Sequence, residues 1–290
     1  MSGRIVVGYT ATKGGKDAVA LASRLARNTG ASLDLVLVLP TDAGTLVPPD
    51  AGFDGYLVDQ AQRWLDRAAA RVPEGIESRQ HVRWAESFAE GLIGVADELE
   101  ADVIVIGPAN GAKRSHHRLG STATELLHSS DVPVVLAPGG ERKTDAAAPI
   151  PRLTVAIGTR PGAEALIETT TSLARVLNVP VRLVSLVTVD LPSTLDTGVV
   201  RVAGAAHADD VLGRVRAALP EMSEVDVLVG RGDSIEEAVR NLEWLPGELV
   251  LVGSSRLAQP RRLFLGSTAE KMLRELSVPM VVVPRGAAAS

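Results

Sequence analysis

Val105-Ile106-Gly107, Leu119-Gly120-Ser121-Thr122 and Asp131-Val132-Pro133-Val134-Val135 recur as Leu251-Val252-Gly253, Leu265-Gly266-Ser267-Thr268 and Ser277-Val278-Pro279-Met280-Val281. The glycines at 107 and 253, the glycines at 120 and 266, and the prolines at 133 and 279 are each separated by 146 positions. A period of that length is a whole domain rather than a solenoid repeat, and 290 residues accommodate two such domains. Between the copies, the run from Pro138 to Pro151 is rich in Gly, Pro and charge, which suits a linker. The expected organisation is a first domain over 1–138, a linker over 139–151 and a second domain over 152–290.

Working outward from these segments, short β-branched runs alternate with longer stretches that carry apolar residues at helical spacing, the pattern of βαβ units. In the first half, strands are predicted near 4–9, 32–39, 77–84, 103–106 and 133–136, with helices near 15–28, 54–72, 87–99 and 120–129. In the second half, strands are predicted near 153–157, 181–188, 225–230, 249–252 and 279–283, with helices near 162–177, 200–218, 234–244 and 267–276. Val103-Ile104-Val105-Ile106 and Leu249-Val250-Leu251-Val252 are apolar at every position, as strands covered on both faces must be. The fold class is α/β: two repeated doubly wound domains, each a parallel five-stranded sheet flanked by four helices.

Composition narrows the function. Hydrophobic residues are 46% of the chain and charged residues 22%, which excludes a disordered or fibrous class. Aromatics are only 3% and the net charge is −5, so neither base-stacking platforms nor a global attraction for polyanions is available, and nucleic acid is not an expected partner. No cysteine is present, which removes disulfides, zinc–thiolate sites and thiol catalysis. No apolar run reaches a membrane-spanning length of about 18 residues, and the opening Arg4-Ile5-Val6-Val7-Gly8 already reads as a strand. A cytoplasmic location is expected.

In doubly wound sheets, ligands lie outside the carboxyl ends of the strands, near the point where the winding reverses. The loops after the fourth strands carry Gly107-Pro108-Ala109-Asn110 then Gly120-Ser121, and Gly253-Ser254-Ser255-Arg256 then Gly266-Ser267. These are candidates for an anion cradle, because glycine admits close backbone approach and the N–H groups opening a helix carry positive partial charge. Ser121, Thr122, Ser267 and Thr268 offer hydroxyl donors. The competing explanation is that Gly120 and Gly266 only shape turns while Ser121 and Ser267 cap helices, each cap contributing about 1 kcal/mol.

Glycine, two residues, Asn110, nine residues, then Gly-Ser resembles the phosphate-binding motif of the universal stress protein family. The Val-Pro-x-Val strands and the opening Arg4-Ile5-Val6-Val7-Gly8-Tyr9 resemble the family's strands as well, so the likeness spans nearly the whole chain as two tandem domains. It implies strand order 3-2-1-4-5, pairing of domains through their last strands, and homodimers. It also implies binding of ATP or a related adenine nucleotide, with magnesium in some cases, by a stress-response module that performs no turnover chemistry. The residues so implicated are Gly107, Asn110, Gly120, Ser121 and Thr122 in the first half, and Gly253, Gly266, Ser267 and Thr268 in the second. An acidic residue usual in the family after the first strand is replaced by Thr10 in one half and by about Gly158 in the other. Asn110, which tolerates positive φ, and Arg256 replace the second motif glycine. The alternative is an interaction scaffold of the same fold that binds no nucleotide.

Other signals carry less. Lys13-Gly14-Gly15-Lys16 lacks the first glycine and the closing Ser or Thr of a Walker loop, and reads as glycine flexibility at a helix start. Gly230-Arg231-Gly232-Asp233-Ser234 reads as a turn with Asp233 or Ser234 capping a helix. His116-His117 has no third ligand at metal-binding spacing, and Lys113, Arg114 and Arg118 beside it make the first motif loop basic. Neither a catalytic Ser/His/Asp set nor a shared carboxylate pair is indicated, and Trp64, Trp84 and Trp244 read as packing residues.

Overall fold

The computed structural model describes residues 3–41, 51–157, 164–188, 225–254 and 263–284. The chain divides into two compact units, Met1–Pro149 and Ile150–Ser290.

In the first unit β1 (Arg4–Gly8), α1 (Lys13–Thr29), β2 (Ser32–Pro40), α2 (Ala51–Ala69), β3 (Ser78–Ala85), α3 (Phe88–Glu98), β4 (Val103–Ile106), α4 (Ser121–Ser129) and β5 (Val134–Leu136) follow in turn. The sheet runs β3-β2-β1-β4-β5, parallel throughout. With right-handed crossovers this order places α1 and α2 on one face and α3 and α4 on the other, and α3 packs on α4. Leu33, Leu35 and Ile104 are fully buried between these layers, together with Leu21, Leu65, Leu92 and Leu126 from the helices.

The second unit contains β6 (Leu153–Ala156), α5 (Glu164–Leu177), β7 (Val181–Thr188), β8 (Val225–Gly232), α6 (Ile235–Arg240), β9 (Leu249–Gly253), α7 (Ser267–Glu275) and β10 (Met280–Val283). Its strands take the same parallel order, β8-β7-β6-β9-β10. The helix expected near 200–218 lies outside the described residues.

Side-chain caps start three helices. Thr12 accepts from the Gly15 N–H at 3.2 Å, Ser87 from Glu90 at 3.0 Å and Ser234 from Glu237 at 3.1 Å. Glu90 and Glu237 reach back to the N–H groups of Glu86 and Asp233, close variants of a capping box at matching places in the two units.

Polar groups inside the sheets are paired, but differently in each unit. In the first, buried Asp34 on β2 accepts from Arg4 at 3.1 and 3.2 Å and pairs with His81 Nε2 at 2.8 Å. Burial pushes the Asp34 carboxyl up, but the bonds from His81 and Arg4 outweigh it and hold the group below its usual range. In the second, Glu248 is wholly buried and takes Arg152 at 2.6 Å, Arg182 at 2.8 Å, the Leu245 N–H at 3.0 Å and the Thr154 hydroxyl. The Arg182 guanidinium also lies 5.0 Å from the Trp244 ring centroid. Trp244 is thus a packing residue, whereas Trp84 on edge strand β3 is 41% exposed and packs only in part.

Part of the segment read as a linker is folded. Glu141–Lys143 form a 3-10 turn against α1. Buried Arg24 donates to Glu141 at 2.7 Å, and buried Asp17 accepts from the Gly140 and Arg142 N–H groups at 3.1 and 2.8 Å and from the Arg142 guanidinium. Asp17 and Arg24 lie on the buried face of α1, so each needs a partner, and the chain leaving β5 supplies both.

Two predictions follow from the polar cores. Glu248→Ala leaves Arg152 and Arg182 buried without their anion and is expected to cost about 3–5 kcal/mol in urea unfolding. Because the folded Asp34 pKa lies below its unfolded value, its stabilising contribution is present at neutral pH and is lost as pH falls through the carboxylate range. The drop in stability between pH 7 and pH 3 should therefore be smaller in Asp34→Asn than in the parent chain.

Candidate anion-binding site

The carboxyl ends of β1 and β4 meet at the site. Tyr9, buried at the end of β1, leads into Thr10, whose hydroxyl lies 2.9 Å from that of Thr12, the α1 cap. A Cβ on Gly14 would stand 2.1 Å from the Pro108 carbonyl oxygen, one on Gly15 1.9 Å from the Thr10 oxygen, and one on Gly107 1.9 Å from the Gly14 oxygen. The β1–α1 and β4–α4 loops therefore touch backbone to backbone. Gly14 is required by this approach and Gly15 by the fold of its own loop back onto Thr10, not by flexibility, since both lie in the first turn of α1 and neither has a positive φ. The missing side chain of Gly107 likewise admits Gly14.

Beyond Gly107 the loop folds on itself. The Ala109 N–H donates to the Arg118 oxygen at 2.8 Å, and the Arg118 guanidinium to the Asn110 oxygen at 2.8 Å. Asn110 does not have the positive φ that its position in the motif suggested; Gly111 has it, at +82°. The left-handed turn is displaced by one residue and falls where glycine adopts it without strain. Arg114, exposed, is placed by the Ser115 N–H to Gly139 O and Gly139 N–H to His116 O bonds at 2.7 and 2.9 Å. His116 points its Nδ1 to the Arg114 carbonyl at 2.8 Å. Among the described residues no group of three or more His, Asp or Glu could hold a metal ion.

At the start of α4, the capping explanation for Ser121 does not hold: the cap is Gly120, in extended conformation, and no side chain accepts from the first turn. Ser121 is exposed and Thr122 half-buried. The same arrangement recurs at α7, where Gly266 is the cap without a side-chain bond and Ser267 and Thr268 are exposed. These two helices contrast with α1, α3 and α6, whose first-turn donors are taken by Thr12, Ser87 and Ser234. The helix ends at the carboxyl side of β4 and β9 thus present N–H groups that no side chain among the described residues caps, the arrangement to which oxyanions bind. Among the described residues, a Cβ on Gly253 would meet Leu166, its Cδ2 at 3.6 Å and its Cβ at 3.8 Å. Gly158, Arg256, Arg261 and Arg262 lie outside the described residues.

A cavity of about 180 Å³ opens beside this loop, toward α1. Its lining includes Lys13, Asp17, Arg114, Arg142 and Lys143 and excludes Gly120, Ser121 and Thr122. Lys13, Arg142 and Lys143 were not singled out from the sequence as site residues. The available signal was Asp17 and Arg24, two charges on an otherwise apolar helix face, which demand partners from elsewhere in the chain.

With this geometry, the chain matches the Universal stress protein family over residues 1–138 and 149–284. It belongs to the universal stress protein family. It is 32% identical over 295 aligned positions to universal stress proteins of Mycobacterium tuberculosis and Mycobacterium bovis, covering 97% of this chain and 99% of theirs. A universal stress protein from Archaeoglobus fulgidus superposes with a TM-score of 0.69 at 17% identity, over 97% of this chain and 98% of that one. The cytoplasmic domain of a prokaryotic cation chloride cotransporter gives 0.50 at 11% identity, over 100% and 97%. These structural likenesses concern the fold. No helix among the described residues of this universal stress protein is long and apolar enough to cross a membrane.

Gly107→Ala pushes a methyl into the Gly14 carbonyl and should cost about 2 kcal/mol or more in chemical denaturation.

Proposed function

We propose that this universal stress protein is a cytoplasmic regulatory module that binds ATP or a related adenine nucleotide and performs no turnover chemistry. The observation that carries the reading is the pair of helix starts, Gly120-Ser121-Thr122 and Gly266-Ser267-Thr268, which lack the side-chain caps found on α1, α3 and α6. Phosphate oxygens would accept from the N–H groups of the first turn, with the Ser and Thr hydroxyls beside them. The residues fit phosphate better than they fit a metal. Thr10, where a carboxylate would serve magnesium, offers a neutral hydroxyl engaged with Thr12. A nucleotide would then bring its own magnesium.

The scaffold reading rests on a different observation, the Gly14–Gly107 contact. It fills with backbone the space on the Cβ side of Gly107, so no ligand stands there. In the nucleotide reading, therefore, the phosphates lie over the α4 and α7 starts, and Gly107 and Asn110 act by shaping the loop.

A substitution separates the two readings without breaking the helix. Proline is tolerated at the first helical position, and Gly120 before it has the extended conformation that proline demands, φ −110° and ψ −179°. Ser121→Pro removes one N–H and one hydroxyl while keeping α4. ATP at 100 times its dissociation constant should stabilise the parent chain by about 2.7 kcal/mol, seen as a rise of a few degrees in melting temperature. The Ser121→Pro, Ser267→Pro double variant should need at least tenfold more ATP for the same rise. No saturable rise in the parent chain would favour the scaffold.

A further inference from the structure

The cavity on the α1 side of the loop is a separate feature from the helix starts discussed above, and its chemistry is one-sided. Lys13 opens α1, Arg114 comes from the β4–α4 loop, and Arg142 and Lys143 come from the turn after β5. Against these four cations the lining carries one carboxylate, Asp17. That carboxylate is already engaged. Its oxygens take the Gly140 N–H at 3.1 Å, the Arg142 N–H at 2.8 Å and the Arg142 guanidinium at 2.8 and 2.9 Å. Among the described residues, Lys13, Arg114 and Lys143 have no carboxylate partner. Three unpaired cations from three separate segments therefore converge on one concavity.

The walls are held in place. Gly140, at φ +96°, carries no side chain where a Cβ would stand 2.9 Å from Arg114 Cγ, so the arginine stem lies directly on the turn. A Cβ on Gly139 would stand 2.3 Å from the Lys113 oxygen, and the paired bonds between residues 115–116 and Gly139 fix the two strands of the wall together. The remaining lining, Pro108 to Ala112, is the loop held by Arg118 and by the Gly14 contact. Such a cavity loses little conformational entropy on taking a ligand.

Size selects among anions. At about 180 Å³ the cavity is smaller than the roughly 300–1,000 Å³ pockets that enclose drug-sized ligands, so a whole nucleotide does not fit inside. We propose that this cavity is a second ligand site, for a compact multiply charged phosphate such as inorganic pyrophosphate, held by Lys13, Arg114 and Lys143, with Arg142 locked by Asp17 as part of the wall. Guanidinium and ammonium donors from several directions match tetrahedral phosphate oxygens.

The test is isothermal titration of inorganic pyrophosphate into the full chain at low ionic strength, with three variants. Arg114→Glu, Lys143→Glu reverses two exposed charges that have no structural partner. Ser121→Pro alters the α4 start. Lys271→Glu, in the other unit, lowers the net charge by two at a site remote in the chain from the cavity lining. Saturable binding that weakens at least tenfold in the Arg114/Lys143 double variant, while remaining within twofold of the parent in the other two, supports the site. Binding lost in Ser121→Pro and kept in the double variant would place the anion on α4 and overturn it. Equal weakening by Lys271→Glu would reduce the effect to bulk charge and overturn it too, as would the lack of saturable binding. ATP titration in the same variants reports on the helix starts separately, so the two assignments stand or fall independently.

Discussion

The contact between the Gly14 carbonyl and Gly107 governs the working end of the first unit. A parallel sheet wound in both directions leaves a crevice where β1 and β4 part company. Here the loops leaving those strands close that crevice with their own backbones, because glycines at 14, 15 and 107 let oxygen atoms come within what would be bonding distance of a side chain. Everything nearby is arranged around the closure. The loop beyond Gly107 turns at Gly111 and returns through Arg118, so Arg114 lines the cavity beside α1 while Gly120 is delivered to the head of α4. The open space is consequently divided into two parts: a walled concavity toward α1 and an uncapped helix start at α4.

The two units share this backbone plan but not their polar interiors. Val6 pairs with Asp34 in the first sheet, and Thr154 with Arg182 in the second, so Asp34 and Arg182 are structural counterparts of opposite charge. Each requires its own set of partners: Arg4 and His81 for the aspartate, Glu248 and Thr154 for the arginine. A buried charge facing the wrong counterpart would be left uncompensated, which is far costlier than losing a surface pair. The duplicated halves are thus no longer interchangeable in their interiors, although their apolar strands remain so.

How much of this could be read in the sequence depends on the range of the forces involved. The sheets were legible because Val103–Ile106 and Leu249–Val252 are apolar at every position, and only a doubly covered strand needs that. The helix start at Ser234 was legible because capping is local. The site was only partly so. Gly107 and Gly14 are far apart in sequence, and nothing near either announces that one exists to admit the other. Asn110 attracted attention as a substitute for glycine, while the residue that supplies the left-handed turn, Gly111, stood next to it. Ser121 looked like a cap because serine before a helix usually is one; the structure begins the helix at Ser121 itself and leaves the cap to Gly120. The segment after β5 looked like a linker from its composition, and its folding depends on Asp17 and Arg24, more than a hundred residues earlier.

Charge links these features to function. The chain carries a net charge of −5, so at long range its field opposes anions. In such a chain an anion site needs cations concentrated together with their own carboxylates already occupied, and the first unit commits Asp17 to the Gly140–Arg142 turn and Glu141 to Arg24. Asp17 and Glu141 are thereby turned inward, and the attraction of the cations left beside them is screened beyond a Debye length of about 8 Å at physiological salt. A chain whose overall charge repels anions and whose walled concavity in the first unit concentrates cations would discriminate by fit rather than by long-range steering. Selectivity then depends on the loop from Gly107 to Gly120, and so on the glycine contact that fixes it.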